Sequence, residues 1–287
     1  MDDRDVVGTD EASSDLGKKC LEFIRNFQSQ LKGKTLLQGI PRVPNYYSKK
    51  AIKNMLIIKF PYGDIPDEIL KGCSSLFNAN YGVWGEKGHR PNKRVQMSVK
   101  LLKELCLFNG NCSLVVAKEP ISGIIRGHVF VCQFPWKDGE ACWITQLVVA
   151  ANARGNGLAT QLVNTAIDPR ALAWGLATSH PHAVRSLERA TKTKCNPSLI
   201  GLYASSLVEA SGIPYVQNRR IVANESGSII DTEFFVDHTE VNAFRSKESG
   251  WHMGSLNDGE EYLAFVFAPD IAEDTTSPCF PCFHTFC

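Results

Sequence analysis

Leu147-Val148-Val149-Ala150-Ala151-Asn152-Ala153-Arg154-Gly155-Asn156-Gly157-Leu158-Ala159-Thr160-Gln161-Leu162 is the stretch on which the reading of this chain turns. An apolar run ends in a short turn, and a glycine-bearing loop follows. Leu158, Leu162, Val163 and Ala166 then recur at the steps of an amphipathic helix. A strand handing over to a helix in this way makes an anion cradle. The first N–H groups of a helix have no partner inside it, and the aligned peptide dipoles add positive potential there. Gly155 and Gly157 leave the backbone bare, so a phosphate can approach closely. Arg154 adds a permanent positive charge. The Gly-x-Gly-x-x-Gly spacing of a dinucleotide-binding turn is missing, and the loop sits mid-chain, which argues against that class. A purely structural loop is the alternative.

Working outward, ACWITQLVV at 141–149 and IIRGHVFVCQF at 124–134 read as long strands joined by a turn at Lys137-Asp138-Gly139. SLVVAK at 113–118 and MLIIKF at 55–60 read as shorter ones. Between them the start signals Asp64 and Glu68, with Pro66 in the first turn, predict a helix to Asn78, and Ser98–Phe108 reads as another. Beyond the loop come a helix over 156–167, a strand at Trp174–Thr178, and helices from Pro181 to Thr191 and Pro197 to Glu209. Gly212 and Pro214 stop the last of these, and strands follow at 229–237 and 262–267. Antiparallel strands followed by alternation predict an α+β fold, a mixed sheet with helices on both faces. The expected organisation is a disordered acidic segment at 1–15, then a helical extension and linker over 16–53. A domain over 54–268 follows, with an insertion at about 193–228, and 269–287 is a flexible cysteine-rich tail. In the extension, Leu16, Cys20, Phe23, Ile24, Phe27 and Leu31 line one helix face, and Pro41 and Pro44 break the chain.

The bulk composition suits a soluble globular protein, with 44% apolar and 21% charged residues. No run of about 18 apolar residues predicts a membrane span. The polar N-terminus lacks the apolar core of a secretory signal, so the expected location is cytoplasmic. Several of the ten cysteines lie among apolar residues, as Cys132 and Cys142 do, and are expected to be buried thiols. The tail cluster Cys279, Cys282, His284 and Cys287 draws on one place in the chain, unlike most structural zinc sites, and no metal is expected. A net charge of +1 hides a basic run over 16–60, a second at Lys87, His89, Arg90, Lys93 and Arg94, and an acidic region after 230 that includes Glu260 and Glu261.

Arg154, Gly157 and Ala159 match the Arg/Gln-x-x-Gly-x-Gly/Ala signature of the GNAT (Gcn5-related N-acetyltransferase) superfamily, which the chain resembles over about 54–192 and in its last two strands. The resemblance implies that the amides of Arg154, Gly155, Asn156, Gly157, Leu158 and Ala159 hold the pyrophosphate of coenzyme A. It implies too that the strand Gln146–Val149, through Leu147, Val148 and Val149, pairs with the pantetheine arm. Acetyl-CoA or another acyl-CoA is then the co-substrate. YGVWGEK, CWITQLVV, Ser179-His180-Pro181 and FFVDH at 234–238 are also similar to a mainly fungal group of GNAT-like proteins with no settled substrate.

Two departures bear on catalysis. Many GNAT enzymes carry a Glu on the fourth strand, but Trp143 stands there and no acid lies between Ala141 and Val149. Many also use a Tyr after the fifth strand, where this chain has Leu187, and His180 replaces the accompanying Asn. His180 is therefore a candidate proton shuttle, its alternative role being a helix cap. Ser179, Gln146 and Tyr203 are further catalytic candidates, and Tyr81, Trp84 and Trp143 are candidates for the acceptor-pocket wall. The expected activity is transfer of an acyl group from acyl-CoA to a small-molecule amine. The alternatives are an aminoacyl-tRNA-dependent peptide-bond former, such as an arginine-containing cyclodipeptide synthase using the basic 16–60 segment for tRNA, and an inactive GNAT-like binding module.

Overall fold

The computed structural model describes residues 54–224, 227–247 and 250–274. The disordered segment, extension and linker expected before residue 54, most of the basic 16–60 run and the cysteine cluster of the tail lie outside the described residues.

The chain begins with β1 (Leu56–Pro61), a 3₁₀ turn (Tyr62–Asp64), α1 (Asp67–Asn80) and α2 (Val99–Cys106). Next come β2 (Cys112–Lys118), β3 (Ile125–Trp136), β4 (Gly139–Val149), α3 (Leu158–Ala166), β5 (Ala173–Thr178), α4 (Pro181–Thr191) and α5 (Pro197–Ser211). It closes with β6 (Arg220–Asn224), β7 (Gly227–Asp231), α6 (Thr239–Arg245), β8 (Glu260–Phe267) and α7 (Pro269–Asp274). The eight strands form one sheet in the order β1-β2-β3-β4-β5-β8-β7-β6. All neighbours are antiparallel except β4 and β5, which run parallel. This is the α+β mixed sheet with helices on both faces that the pattern predicts.

The helices form where the periodicity puts them. α1 buries Ile69, Leu70, Cys73, Leu76 and Phe77, one stripe at three- and four-residue steps. Ser98 caps α2 by accepting a hydrogen bond from the Leu101 N–H at 3.2 Å. Gly212, in the left-handed region at φ 60°, ends α5. Cys73, Cys106, Cys112, Cys132, Cys142 and Cys195 are free thiols, all buried, as expected of small hydrophobes.

The structure departs from the expected element boundaries around Pro66 and after Asp231, and adds short elements. Asp64 falls in the 3₁₀ turn, and Pro66 is the cap of α1 rather than part of its first turn. The strand expected over 229–237 ends at Asp231, because Thr232 turns back to donate its N–H to Gly259 O and Glu233 takes φ 56°. Residues 234–237 instead run out to YGVW, with a Trp84↔Val236 bridge, Gly85 N–H on Phe235 O and Asp237 N–H on Val83 O. Two stretches far apart in sequence thus form one wall. The region expected as an insertion supplies α5 and β6, and β6 pairs with β7 to extend the sheet. α6 and α7 are too short to register as periodic patterns.

The parallel pairing of β4 and β5 lasts three residue pairs, Ala141↔Ala173, Cys142↔Trp174 and Trp143↔Gly175. β4 continues to Val149 and β5 to Thr178 without further pairing. At the parting point Trp143 is fully buried and meets Phe265 of β8 edge to face at 5.1 Å. Phe265 lies directly over Gly175, where a Cβ would overlap its ring. Replacing Gly175 with Ala should therefore push Phe265 into Trp143 and destabilise the fold by about 1–3 kcal/mol in chemical denaturation. Stability within a few tenths of wild type would show that this packing is not tight.

Candidate active site

On β4 the register with β3 slips between Phe130↔Gln146 and Val131↔Ile144, leaving Thr145 as a bulge. A bulge bends its strand and raises the local twist, which turns the end of β4 away from β5. Ala150 N–H donates to Arg126 O near the start of β3. By alternation along an antiparallel ladder, Val148 and Gln146 spend their main-chain groups on β3, while Leu147 and Val149 direct theirs to the open side. The open edge of β4 thus offers main-chain donors and acceptors to an extended, amide-bearing arm.

The loop at the end of β4 opens α3. Gly155 and Gly157 have φ 75° and 86°, the left-handed region. Gly157 caps α3 with no side-chain cap, and the first bond of the helix runs from Gln161 N–H to Gly157 O at 3.1 Å. The N–H groups of Leu158, Ala159 and Thr160 therefore stand outside the ladder of the helix. Nothing lies within 4 Å of a Cβ built on Gly157, so the space above the loop is open. Asn156 folds inward, its Nδ2 donating to Arg154 O at 3.0 Å.

Arg154 does more than add charge. Its Nε donates to Val149 O at 3.1 Å and an Nη to Asn80 O at 2.5 Å. A guanidinium at the carbonyl end of α1 also complements the helix dipole. Ala151 N–H donates to Asn80 Oδ1 at 2.8 Å. The loop and the end of α1 are stitched together, and the next residue, Tyr81, is carried with them.

The expected catalytic candidates fall in three places. His180 caps α4. Its Nδ1 accepts from His182 N–H at 3.2 Å, while its own N–H donates to Thr178 Oγ1 at 3.0 Å. Burial, and then the neighbouring His182 and Arg154, lower its pKa to about 4. Neutral and with Nδ1 committed, the ring has the geometry of the cap alternative, and Ser179 sits beside it in the β5–α4 turn. Gln146 is buried and occupied, its Oε1 taking the His128 Nε2 proton at 2.7 Å and its Nε2 meeting Met97 Sδ at 3.2 Å. Burial lowers the pKa of His128 to about 4, partly offset by this bond. Tyr203, on α5, packs on Trp136 and Phe267. That is the opposite end of the sheet from the loop, since Phe267 pairs with Ala173, where β5 begins.

Of the pocket-wall candidates, Tyr81 and Trp84 both pack on Phe234. Tyr81 ends α1, stacks on Phe77 at 4.2 Å and meets Phe234 at 6.0 Å. Trp84 meets Phe234 edge to face at 5.2 Å. Trp143 lies deeper, at the apex of the β4–β5 opening. Around the bulge, buried polar groups converge that the sequence reading passed over. Tyr215, in the segment after α5, donates its hydroxyl to Thr145 O at 3.3 Å. Trp143 Nε1 and Thr145 Oγ1 are buried beside the Tyr215 hydroxyl and the Cys106 thiol, without a hydrogen bond of good geometry to a described residue. Such groups are rare in native interiors and mark places where a ligand can complete the bonding. Glu261 of β8 is 6% exposed, with Thr232 Oγ1 at 2.9 Å from its Oε2. Burial raises its pKa to about 7. Burial, and then Cys106 and Glu261, raise the Tyr215 hydroxyl well above the usual tyrosine range, and the hydroxyl of Tyr81, a residue still 36% exposed, is shifted in the same direction. The only sequence signal for Glu261 was its place before the apolar run YLAFVF. Tyr215 gave none.

Residues 76–205, a little under half of the chain, match the model of the acetyltransferase (GNAT) family. No curated protein matches the chain. Similar solved structures include the GNAT family N-acetyltransferase YhbS from Escherichia coli in complex with CoA, at 20% identity and TM-score 0.34, covering 47% of this chain and 67% of that one. Arabidopsis thaliana NAA60 in complex with a bisubstrate analogue is 14% identical, with TM-score 0.34 and coverage of 49% and 85%. The NatC complex bound to Gag peptide and CoA is 17% identical, with TM-score 0.32 and coverage of 46% and 80%. No described helix is long and apolar enough to cross a membrane. Among the described residues no group of three or more His, Cys, Asp or Glu is arranged to hold a metal.

His180 and His128 stay neutral in the fold but titrate near 6.5 in the unfolded chain. The unfolded chain then binds more protons as pH falls, and their contribution to stability is lost between about pH 6.5 and 4. His180→Ala should cost about 1 kcal/mol at neutral pH while His180→Asn, which keeps a cap acceptor, costs little. Urea titrations of both variants check this. An Ala variant as stable as wild type would remove the capping role.

Proposed function

We propose that the protein transfers an acyl group from acyl-CoA to a small-molecule amine, forming an amide. The observation that carries this reading is the parting of β4 and β5 beside a strand-to-helix loop with free helix-start amides. An extended arm bearing amides can pair with Leu147 and Val149 on the open edge of β4. A diphosphate at its end then falls on the amides of Gly155 to Ala159, where the dipole of α3 favours negative charge. That combination, amide-bearing arm and diphosphate, is the chemistry of coenzyme A, and the residues present fit it. Acyl-CoA would supply an activated thioester at the bulge. This chain's residues bind the donor along β4, hold the loop rigid through Arg154 and Asn80, and wall the acceptor side with Tyr81, Trp84 and Phe234.

Gly157→Trp tests the donor site. The substitution forces an L-residue into the left-handed region, at about 1–2 kcal/mol, and sends an indole into the open space above the loop. CoA affinity in calorimetry should fall at least about tenfold, a loss of roughly 1.4 kcal/mol, with the protein still folded. Unchanged affinity would remove the loop from the donor site. Salt separates the tRNA-dependent alternative. Its binding would weaken by orders of magnitude between about 50 and 200 mM salt through counterion release, whereas CoA-dependent turnover should change far less.

A further inference from the structure

An amine attacks a thioester only as the free base, so the site needs a group that accepts the ammonium proton. β4 offers no acid between Ala141 and Val149, and α4 has Leu187 facing the core. His180 engages Nδ1 with the backbone and His128 engages Nε2 with Gln146 while its Nδ1 is buried and unbonded; burial lowers both rings to about 4, which leaves them weak bases at neutral pH. The acid that the fold leaves in reach of this region is Glu261 on β8, buried and close enough to Tyr215 and Tyr81 to raise their hydroxyls.

Strand alternation sets its direction. Tyr262 faces the α4 and α6 side, where its hydroxyl donates to Gly254 O at 2.9 Å and Arg245 donates to it at 3.1 Å. Glu261, one residue earlier, therefore points to the opposite face, the side of α1 and of Tyr215. Its influence on both tyrosine hydroxyls is consistent with this. The groups around it come from every element packed there: Tyr81 at the end of α1, Cys106 of α2, Tyr215 after α5 and Thr232 after β7. Burial raises the Cys106 thiol to about 12, so the group stays neutral. Thr232 holds Oε2, and no described residue is hydrogen-bonded to Oε1. No Lys, Arg or His pairs with Glu261 among the described residues. A buried carboxylate without a protein cation is costly, and such perturbed groups in clefts are candidates for function.

We infer that Glu261 is the catalytic base, and that the acceptor is an alkylammonium ion entering along the Tyr81–Trp84–Phe234 wall to become the missing countercharge. This rests on the acyltransferase reading above. Aromatic faces attract an ammonium group before it reaches the carboxylate. Glu261 takes one proton from the ammonium and passes it to water. The nitrogen lone pair forms the C–N bond, the C–S bond breaks, and the second nitrogen proton goes to the departing thiolate. The products are amide, thiol and one released proton. A base with a pKa near 7 is matched to this task at neutral pH. Ionising it costs the fold stability. The folded chain holds this proton up to about pH 7 while the unfolded one releases it near 4.5, so Glu261 lowers stability as pH rises through that window and keeps it lowered above.

The test compares the full chain with its Glu261→Gln variant, using acetyl-CoA with putrescine, spermidine and tyramine. Thioester hydrolysis is read alongside, because the same base would activate water. Wild-type kcat/KM should rise with pH and level off above about 7. The variant should lose roughly 100- to 1,000-fold and show no break near 7. Its CoA affinity should be unchanged, and its thermal midpoint at pH 8 should be higher than wild type, a gain that vanishes near pH 5. A variant that keeps both aminolysis and hydrolysis within about threefold of wild type, or that melts no higher at pH 8, overturns the assignment while CoA binding leaves the acyltransferase reading standing. Wild-type protein that does not bind CoA would overturn that reading itself, and the stability comparison would still report whether Glu261 is a buried charge.

Discussion

Three residue pairs hold β4 to β5, and everything at the site depends on their parting after Trp143 and Gly175. The cause is local and physical. Thr145 is one residue too many for the β3 partner, so β4 bends there. Trp143 and Phe265 fill the apex with aromatic volume instead of continued pairing. Had the ladder run on, Leu147 and Val149 would have spent their main-chain groups on β5, leaving no edge for an extended arm. The hydroxyl of Tyr215 on Thr145 O satisfies one carbonyl that the bulge releases.

The two sides of the site are mechanically one unit. Arg154 and Asn80 join the anion loop to the end of α1, and Tyr81 is the next residue along. A shift in the loop is therefore transmitted to the acceptor wall with little slack. The same wall is braced from the other direction by residues 234–237, whose backbone pairs with Val83, Trp84 and Gly85. That irregular segment replaces an expected strand because Thr232 and Glu233 turn the chain out of the sheet.

Polar groups in the interior sort by whether their bonds are complete. His180 engages Nδ1 as a helix cap and Gln146 engages both ends of its amide, while His128 gives Nε2 to Gln146 and leaves Nδ1 buried without a hydrogen bond. Trp143 Nε1 and Thr145 Oγ1 at the apex lack such completion, and Glu261 on β8 is held by Thr232 with no cation beside it among the described residues. Stability and chemistry pull in opposite directions at Glu261. Its ionised form is disfavoured by burial, which is the condition that keeps it able to exchange a proton near neutral pH.

The periodicities of α1, α2, α3, α4 and α5, the alternating and apolar runs of β1–β5 and β8, and the glycine loop at 154–159 were all legible in the chain. They are local properties: side-chain spacing, capping residues and backbone freedom act within a few positions. The loop's glycines could be assigned because left-handed geometry is demanded locally and few residues tolerate it. β6, α6 and α7 are too short for a period to emerge. The direction of Arg154, the bulge at Thr145, and the meeting of YGVW with FFVDH depend on registers between strands and on chain paths that no single stretch encodes. Glu261 illustrates the limit. As a letter it was one of several acids near the C-terminus. Only packing removed it from water and brought it within electrostatic reach of Tyr81 and Tyr215, because burial and electrostatic neighbourhood are properties of the assembled sheet.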